Sequence, residues 1–159
     1  MTEEIKARLR KYNSNIEISG RGVVAFGLWT AIKVIIRMVF GAEEIRAGLD
    51  VPEAQVDFYM QVIYVTIGFL CVLFMAIHGY VGFCAIRYGR GNRKNKMFLI
   101  GALLIAGLSL FFIITDLMEK EITFNTVAEL LADCTLFFVM FDMLYSMYMA
   151  RLTVKKAQG

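Results

Sequence analysis

The sequence predicts an all-α integral membrane protein: four transmembrane helices in an up-down-up-down bundle, with both termini cytoplasmic. Three observations carry that expectation. The 159 residues are 58% apolar and only 19% charged, with a mean hydropathy of +0.62. The apolar residues are gathered into long runs, whereas a soluble domain spreads them by amphipathic periodicity. The cations, finally, fall in alternate connections between those runs.

The elements follow in chain order. Segment 2–18 carries Ile5, Leu9, Tyr12 and Ile16 at spacings of four, three and four, with Lys6, Arg8, Arg10 and Lys11 around them. It reads either as a short amphipathic helix on the inner leaflet, capped by Thr2, or as a flexible basic tail. The first span is 22–40, "GVVAFGLWTAIKVIIRMVF". Nothing before it has the apolar core of a signal peptide, so it is expected to be retained. In the next connection Gly48 is placed to end an extension of that span, and Asp50 with Glu53 to cap the next, with Pro52 in its first turn. The second and third spans are about 59–86 and 97–115. Thr126 and Glu129 make a capping-box pattern ahead of the fourth, about 127–150.

Each run holds about the 20 residues that ~30 Å of hydrocarbon requires at 1.5 Å per residue. The alternation of β-barrel strands is missing, and only closed backbone hydrogen bonding survives in lipid, so four runs mean four helices. With short connections and no repeat or low-complexity tract, the chain reads as one domain, span one lying beside spans two and four.

Orientation follows from charge. Lys6, Arg8, Arg10, Lys11 and Arg21 precede the first span; Arg87, Arg90, Arg93, Lys94 and Lys96 fill the second connection; Arg151, Lys155 and Lys156 follow the fourth span. The other two connections are acidic: Glu43, Glu44, Asp50, Glu53 and Asp57 in one, and Asp116, Glu119, Glu121 and Glu129 in or beside the other, with only Arg46 and Lys120 among them. The positive-inside rule then puts both termini in the cytoplasm of a cell that holds the protein in its plasma membrane. The basic loop "RYGRGNRKNK" suits anionic lipid headgroups; a nucleic-acid partner is not expected.

Charges inside the spans are the candidate functional residues. Lys33 and Arg37 are four apart on span one, and Glu129 and Asp133 are four apart on span four. In an antiparallel pair the two sets match in order and approximate depth. They predict a two-rung ladder, Arg37 with Glu129 and Lys33 with Asp133, which would offset the ~2.5–3.5 kcal/mol cost of a lone charge at a helix centre. Two other readings stay open: Arg37 snorkels to the outer interface, or the cluster lines a polar cavity that binds or passes an ion. Asp142 stands nine residues from Asp133, on the opposite face of the helix, and so is expected to turn away from span one. His78, the only histidine, is expected at a similar depth, which makes His78 and Asp142 a candidate polar or proton-responsive contact. Small residues supply packing faces: Gly68, Cys71 and Gly82 on span two, and Ala102, Ala106 and Ser109 on span three.

Enzyme chemistry finds no support. "GRGNRKNK" lacks the strand and helix of a phosphate loop, no serine or cysteine triad is in view, and no zinc-ligand spacing occurs. Cys71, Met75 and His78 share a helix face, but methionine is a common gap-filler, and neither a metal nor another cofactor is expected. Cys71, Cys84 and Cys134 lie in separate spans without a disulfide pattern. Voltage sensors carry arginines at every third residue of their fourth span, where this chain is acidic, and the sequence resembles no known family. The expected role is that of a non-enzymatic accessory or interaction subunit, working through self-association or a membrane protein partner. The alternative is an oligomeric small channel or transporter using the intramembrane charges.

Overall fold

The glycines and alanines of the first and third helices bring their backbones into near contact, and the rest of the architecture is arranged around that seam. A computed structural model describes residues 2–92, 97–118 and 124–158, apart from the side chains at 116, 124–126, 128 and 158. Among these residues every regular element is helical: α1 (Glu3–Phe40), α2 (Ala42–Ala47), α3 (Glu53–Gly89), α4 (Phe98–Met118) and α5 (Phe124–Gln158). Helices α1, α3, α4 and α5 are each long and apolar enough to cross a membrane.

Three of them are longer than a span needs. At 38, 37 and 35 residues, α1, α3 and α5 run about 57, 55 and 52 Å at 1.5 Å per residue, against ~30 Å of hydrocarbon. The excess on α1 is segment 2–18, which is neither a separate surface helix nor a tail. It continues into the span without a break, and its apolar stripe is turned toward protein. Ile16 is fully buried, and Ile5 and Tyr12 line a groove shared with Met149 and Leu152 of α5. The first turns of α1 and the last turns of α5 thus lie side by side, with Arg8 and Lys156 among them, at the basic end of the helices.

The helix limits depart from expectation where caps were read from side chains. Pro52, not Asp50, is the N-cap of α3 and stands just outside the first turn, because its fixed φ suits that junction without any side-chain bond. Helix α5 begins at Phe124, so Thr126 falls within its first turn; its side chain, like Glu119, Lys120 and Glu121, lies outside the described residues. Gly48 does end a helix, the short α2, whose Arg46 is ion-paired with Asp57 of α3. At its other end α3 closes in a Schellman motif: Asn92 N–H donates to the Arg87 carbonyl at 3.0 Å and Gly91 N–H to that of Tyr88 at 3.0 Å. Gly91 supplies the φ of +98° this requires. Arg93, Lys94 and Lys96 follow outside the described residues.

Helix α1 packs most extensively against α3, then α5; α4 packs mainly on α5 and only lightly on α3. The partners run antiparallel, as the contacts show. Along α1 and α5, Ser19 meets Asp142, Gly22 meets Val139 and Lys33 meets Glu129. Along α1 and α3, Glu17 meets Arg90, Gly20 meets Gly82, Gly27 meets His78 and Ala31 meets Cys71.

Each long helix contributes one buried stripe at spacings of three and four: Ile16, Gly20, Val23, Gly27 and Ala31 on α1; His78, Val81, Ala85 and Tyr88 on α3; Phe98, Ala102, Ile105 and Ser109 on α4; Leu136, Met140, Met143, Met147 and Ala150 on α5. The expected small-residue faces are partly realised, since Gly82, Ala102 and Ser109 are buried while Gly68 has nothing near it. Met140, Met143 and Met147 are packing residues of the core.

These stripes occupy only one half of the helices. No described residue of 32–40, 61–77, 110–118 or 127–135 is buried. Apart from Met60 on α3, the buried residues among those described therefore lie in the basic half.

Candidate functional site

At the level where the packing gives way, the four long helices surround a cavity of about 290 Å³. Thr30 and Val34 of α1 form its back, Phe74 and His78 of α3 one wall, Leu104, Leu108 and Ser109 of α4 the other, and Asp133 of α5 lines it as well. The lining is thus apolar with a few polar groups, the usual make-up of a small-molecule site. Larger depressions lie at the helix ends, among exposed charges such as Lys6 and Arg10.

His78 is the most constrained of the polar groups. Gly27 of α1 lies so close to it that a Cβ there would come within 2.6 Å of the His78 Cβ, so the α1 glycine is what admits the imidazole at this level. The ring is 6% exposed. Its Nδ1 is 2.9 Å from the Phe74 carbonyl one turn earlier. A carbonyl can only accept, so Nδ1 carries the proton, and in the neutral ring Nε2 is an acceptor. That Nε2 is buried with no hydrogen-bond partner. Thr30, by contrast, spends its hydroxyl on the Phe26 carbonyl of its own helix, at 2.9 Å.

Beyond the cavity toward the acidic end sits the charge cluster expected from the sequence, in a different register. Glu129 receives both cations, Lys33 Nζ at 3.8 Å and Arg37 at 4.0 Å. The Arg37–Glu129 rung is present as expected; Lys33 also reaches Glu129, because α5 sits about one turn along α1 from the assumed register, and Asp133 lines the cavity. Arg37 is the exposed member, at 84% against 35% for Lys33.

The same register separates His78 from Asp142. Asp142 lies level with Ser19, whose Oγ donates to its Oδ2 at 3.2 Å, whereas His78 lies level with Gly27. Those α1 residues are eight apart, about 12 Å of helix. Asp142 therefore touches α1, the helix it was expected to turn away from, and it does so close to the basic end.

The ionic contacts of Glu17 were not anticipated. Glu17 Oε1 accepts from Arg90 Nε and Nη2 at 3.1 and 3.0 Å and from Arg21 Nη2 at 2.6 Å. It clamps α1 to the end of α3, five residues before the first span, and the Arg90 and Arg21 bonds hold its carboxyl below the ordinary 4.5. Glu17 and Arg21 are four apart in the sequence, which gives the local pair, but Arg90 could be added only once α3 was known to fold back beside them. Among the described residues no three His, Cys, Asp or Glu side chains converge as metal ligands.

No protein-family model, curated protein or solved structure matches the chain.

Proposed function

We propose that this is a non-enzymatic multi-pass protein of the plasma membrane, an up-down-up-down four-helix bundle with cytoplasmic termini, serving as an interaction subunit that a membrane partner completes. The observation that carries this reading is the one-sided core. Helices that cover one another from Ile16 to Ala31 leave their acidic-end halves with Met60 as the one buried residue among those described, and those halves hold Lys33, Arg37 and Glu129. Partly exposed charges in a span are costly against lipid. A partner's transmembrane helix packed on the acidic half would cover the apolar flanks and shield the cluster. The orientation rests on charge: Arg8, Arg10, Lys11, Arg87, Arg90, Arg151 and Lys155 gather at the basic end, where they also suit anionic lipid.

The test is photocrosslinking in the native membrane from two rings of positions. Residues 69 and 114 report on the acidic half, and residues 83 and 100 on the basic half. A stoichiometric heterologous partner captured only from the acidic ring supports the proposal, whereas equal capture from both rings counts against it.

A second reading, an oligomeric channel or small transporter, is favoured by the cavity in which His78 and Asp133 stand below Lys33 and Arg37. Under it the acidic ring would capture only copies of this chain. Cysteines at positions 33 and 37 would also react with membrane-impermeant thiol reagents from within the assembly, which a dry, partner-covered cluster would prevent.

A further inference from the structure

We propose that the cavity between α3 and α4 is a binding site for a lipid-soluble alcohol, an apolar body of one ring or a short chain bearing one hydroxyl that donates to His78 Nε2.

Four features of the cavity select this chemistry. Its size fits a small molecule: an engineered cavity of about 150 Å³ holds benzene, and at about 290 Å³ this one has room for a ring with a short chain. Its walls are apolar, with Phe74 and Phe112 on opposite helices, so the body must be apolar too. It lies between α3 and α4, which make only light contact with each other, and that is the side from which a molecule dissolved in the bilayer would enter. The fourth feature sets the headgroup. A buried acceptor without a donor is unfavourable, and the Nδ1 bond to Phe74 fixes Nε2 in that role in the neutral ring. A donor brought in by the ligand meets this need, which a hydrocarbon does not. Nε2 is itself covered, so seating the hydroxyl takes a side-chain adjustment at the rim, of the kind common when ligands bind. Leu104 and Leu108, exposed on α4, border the site.

The site is independent of the partner proposed above, since the described helices of a single chain form all of it. A lipid acyl chain or an apolar partner side chain would be indifferent to the hydroxyl, and that difference is what the experiment reads.

The full chain in phosphatidylcholine nanodiscs is photolabelled with a diazirine derivative of 4-hexylphenol, and labelled peptides are mapped by mass spectrometry. Competitors are 4-hexylphenol and hexylbenzene, compared at equal mole fraction in the membrane. The expected result is labelling concentrated in 74–78 and 104–112. The phenol should displace it at about one fifth of the mole fraction that hexylbenzene needs, the ratio that one net hydrogen bond supplies. His78→Phe should retain labelling and remove the preference for the phenol. Val34→Phe, which fills the cavity from α1 and leaves His78 in place, should abolish the competed labelling; it carries the test alone if the His78 variant does not fold. Equal competition by the two compounds in the wild type would overturn the proposal. So would a phenol preference that survives His78→Phe, or competed labelling that survives Val34→Phe.

Discussion

Placing a single methyl group at Gly82 should part α1 from α3. A Cβ at this position would lie 2.6 Å from the Gly20 carbonyl oxygen and 2.5 Å from Val24 Cγ2, and one on Gly20 would lie 2.8 Å from the Gly82 oxygen. Non-bonded carbons rest at about 3.5–4.0 Å, so the contact must open by roughly 1 Å. The valine methyl can turn aside, but the carbonyl belongs to the α1 backbone and cannot. Forcing an extra methylene into a packed interface costs about 1–3 kcal/mol, and alanine returns up to about 1 kcal/mol through its better helix propensity. Gly82→Ala is therefore expected to lose about 1–2 kcal/mol net. Gly68→Ala is the internal control. Nothing lies within 4 Å of its Cβ position, so only the propensity term applies, and stability should hold or rise by up to about 1 kcal/mol. The assay is reversible unfolding in mixed micelles of rising dodecyl sulfate fraction, followed through Trp29, the sole tryptophan. If Gly82→Ala unfolds at or above the wild-type midpoint, and moves no differently from Gly68→Ala, the glycine seam is not what sets the distance between these helices.

Other consequences can be read with the same assay. Glu17 has a folded pKa below its ordinary 4.5, so its clamp contributes stability that is fully present above that value and is lost as pH falls through the folded pKa. Glu17→Gln should be less stable than wild type at pH 7, and the gap should close in titrations taken below 4.5; a gap independent of pH would mean that the Arg90 and Arg21 bonds do not stabilise the fold. Reversing either Lys33 or Glu129 alone sets like charges against each other. An uncompensated charge at a helix centre costs up to about 3 kcal/mol, and partial exposure should reduce this to roughly half. The double exchange Lys33→Glu with Glu129→Lys should then recover most of the loss, and a double variant as damaged as the sum of the singles would refute the pairing. Ser19→Ala should cost about 0.5–1 kcal/mol by removing the donor to Asp142. Asp142→Asn keeps an acceptor and should cost less, an order that the unfolding midpoints check directly.

The presence of the helices was legible in the sequence because it depends on run length, a one-dimensional property. Register was not, because it depends on which small residues face each other across two chains of backbone. Lys33, Arg37 and Glu129 could be gathered from spacing and sign alone, yet the partner of Lys33 came out one turn away. The assumed register matched the two charge pairs in order and approximate depth, whereas the actual one follows Ser19 on Asp142 and Gly22 on Val139. Gly20 stands between segment 2–18 and the first apolar run, so its close contact with Gly82 lies outside both elements expected from the sequence. The orphaned Nε2 of His78 had no sequence signal either. A lone histidine in an apolar helix is visible, but whether its second nitrogen finds a partner is decided by three other helices.

The cavity and the charge cluster have a common cause in how α1 changes along its length. From Ile16 to Ala31 its buried stripe alternates small with branched residues, and Gly20, Gly27 and Ala31 let neighbouring backbones approach closely. After Ala31 there is no small residue until Gly41. The next group shown to meet α5 is Lys33, whose Nζ lies 3.8 Å from Glu129 Oε1, at the tips of two long side chains. A contact made by an extended lysine and a glutamate holds two helices farther apart than one made by glycine. Between these two regimes the helices must diverge, and the space that opens is lined by Thr30 and Val34, the residues of α1 that lie at the change. His78 is seated at the same level because Gly27 is the last glycine of the seam. The glycine that allows an imidazole into the helix interface therefore also marks where the interface opens, and this is why the buried, unpartnered Nε2 of His78 borders a cavity that all four long helices line.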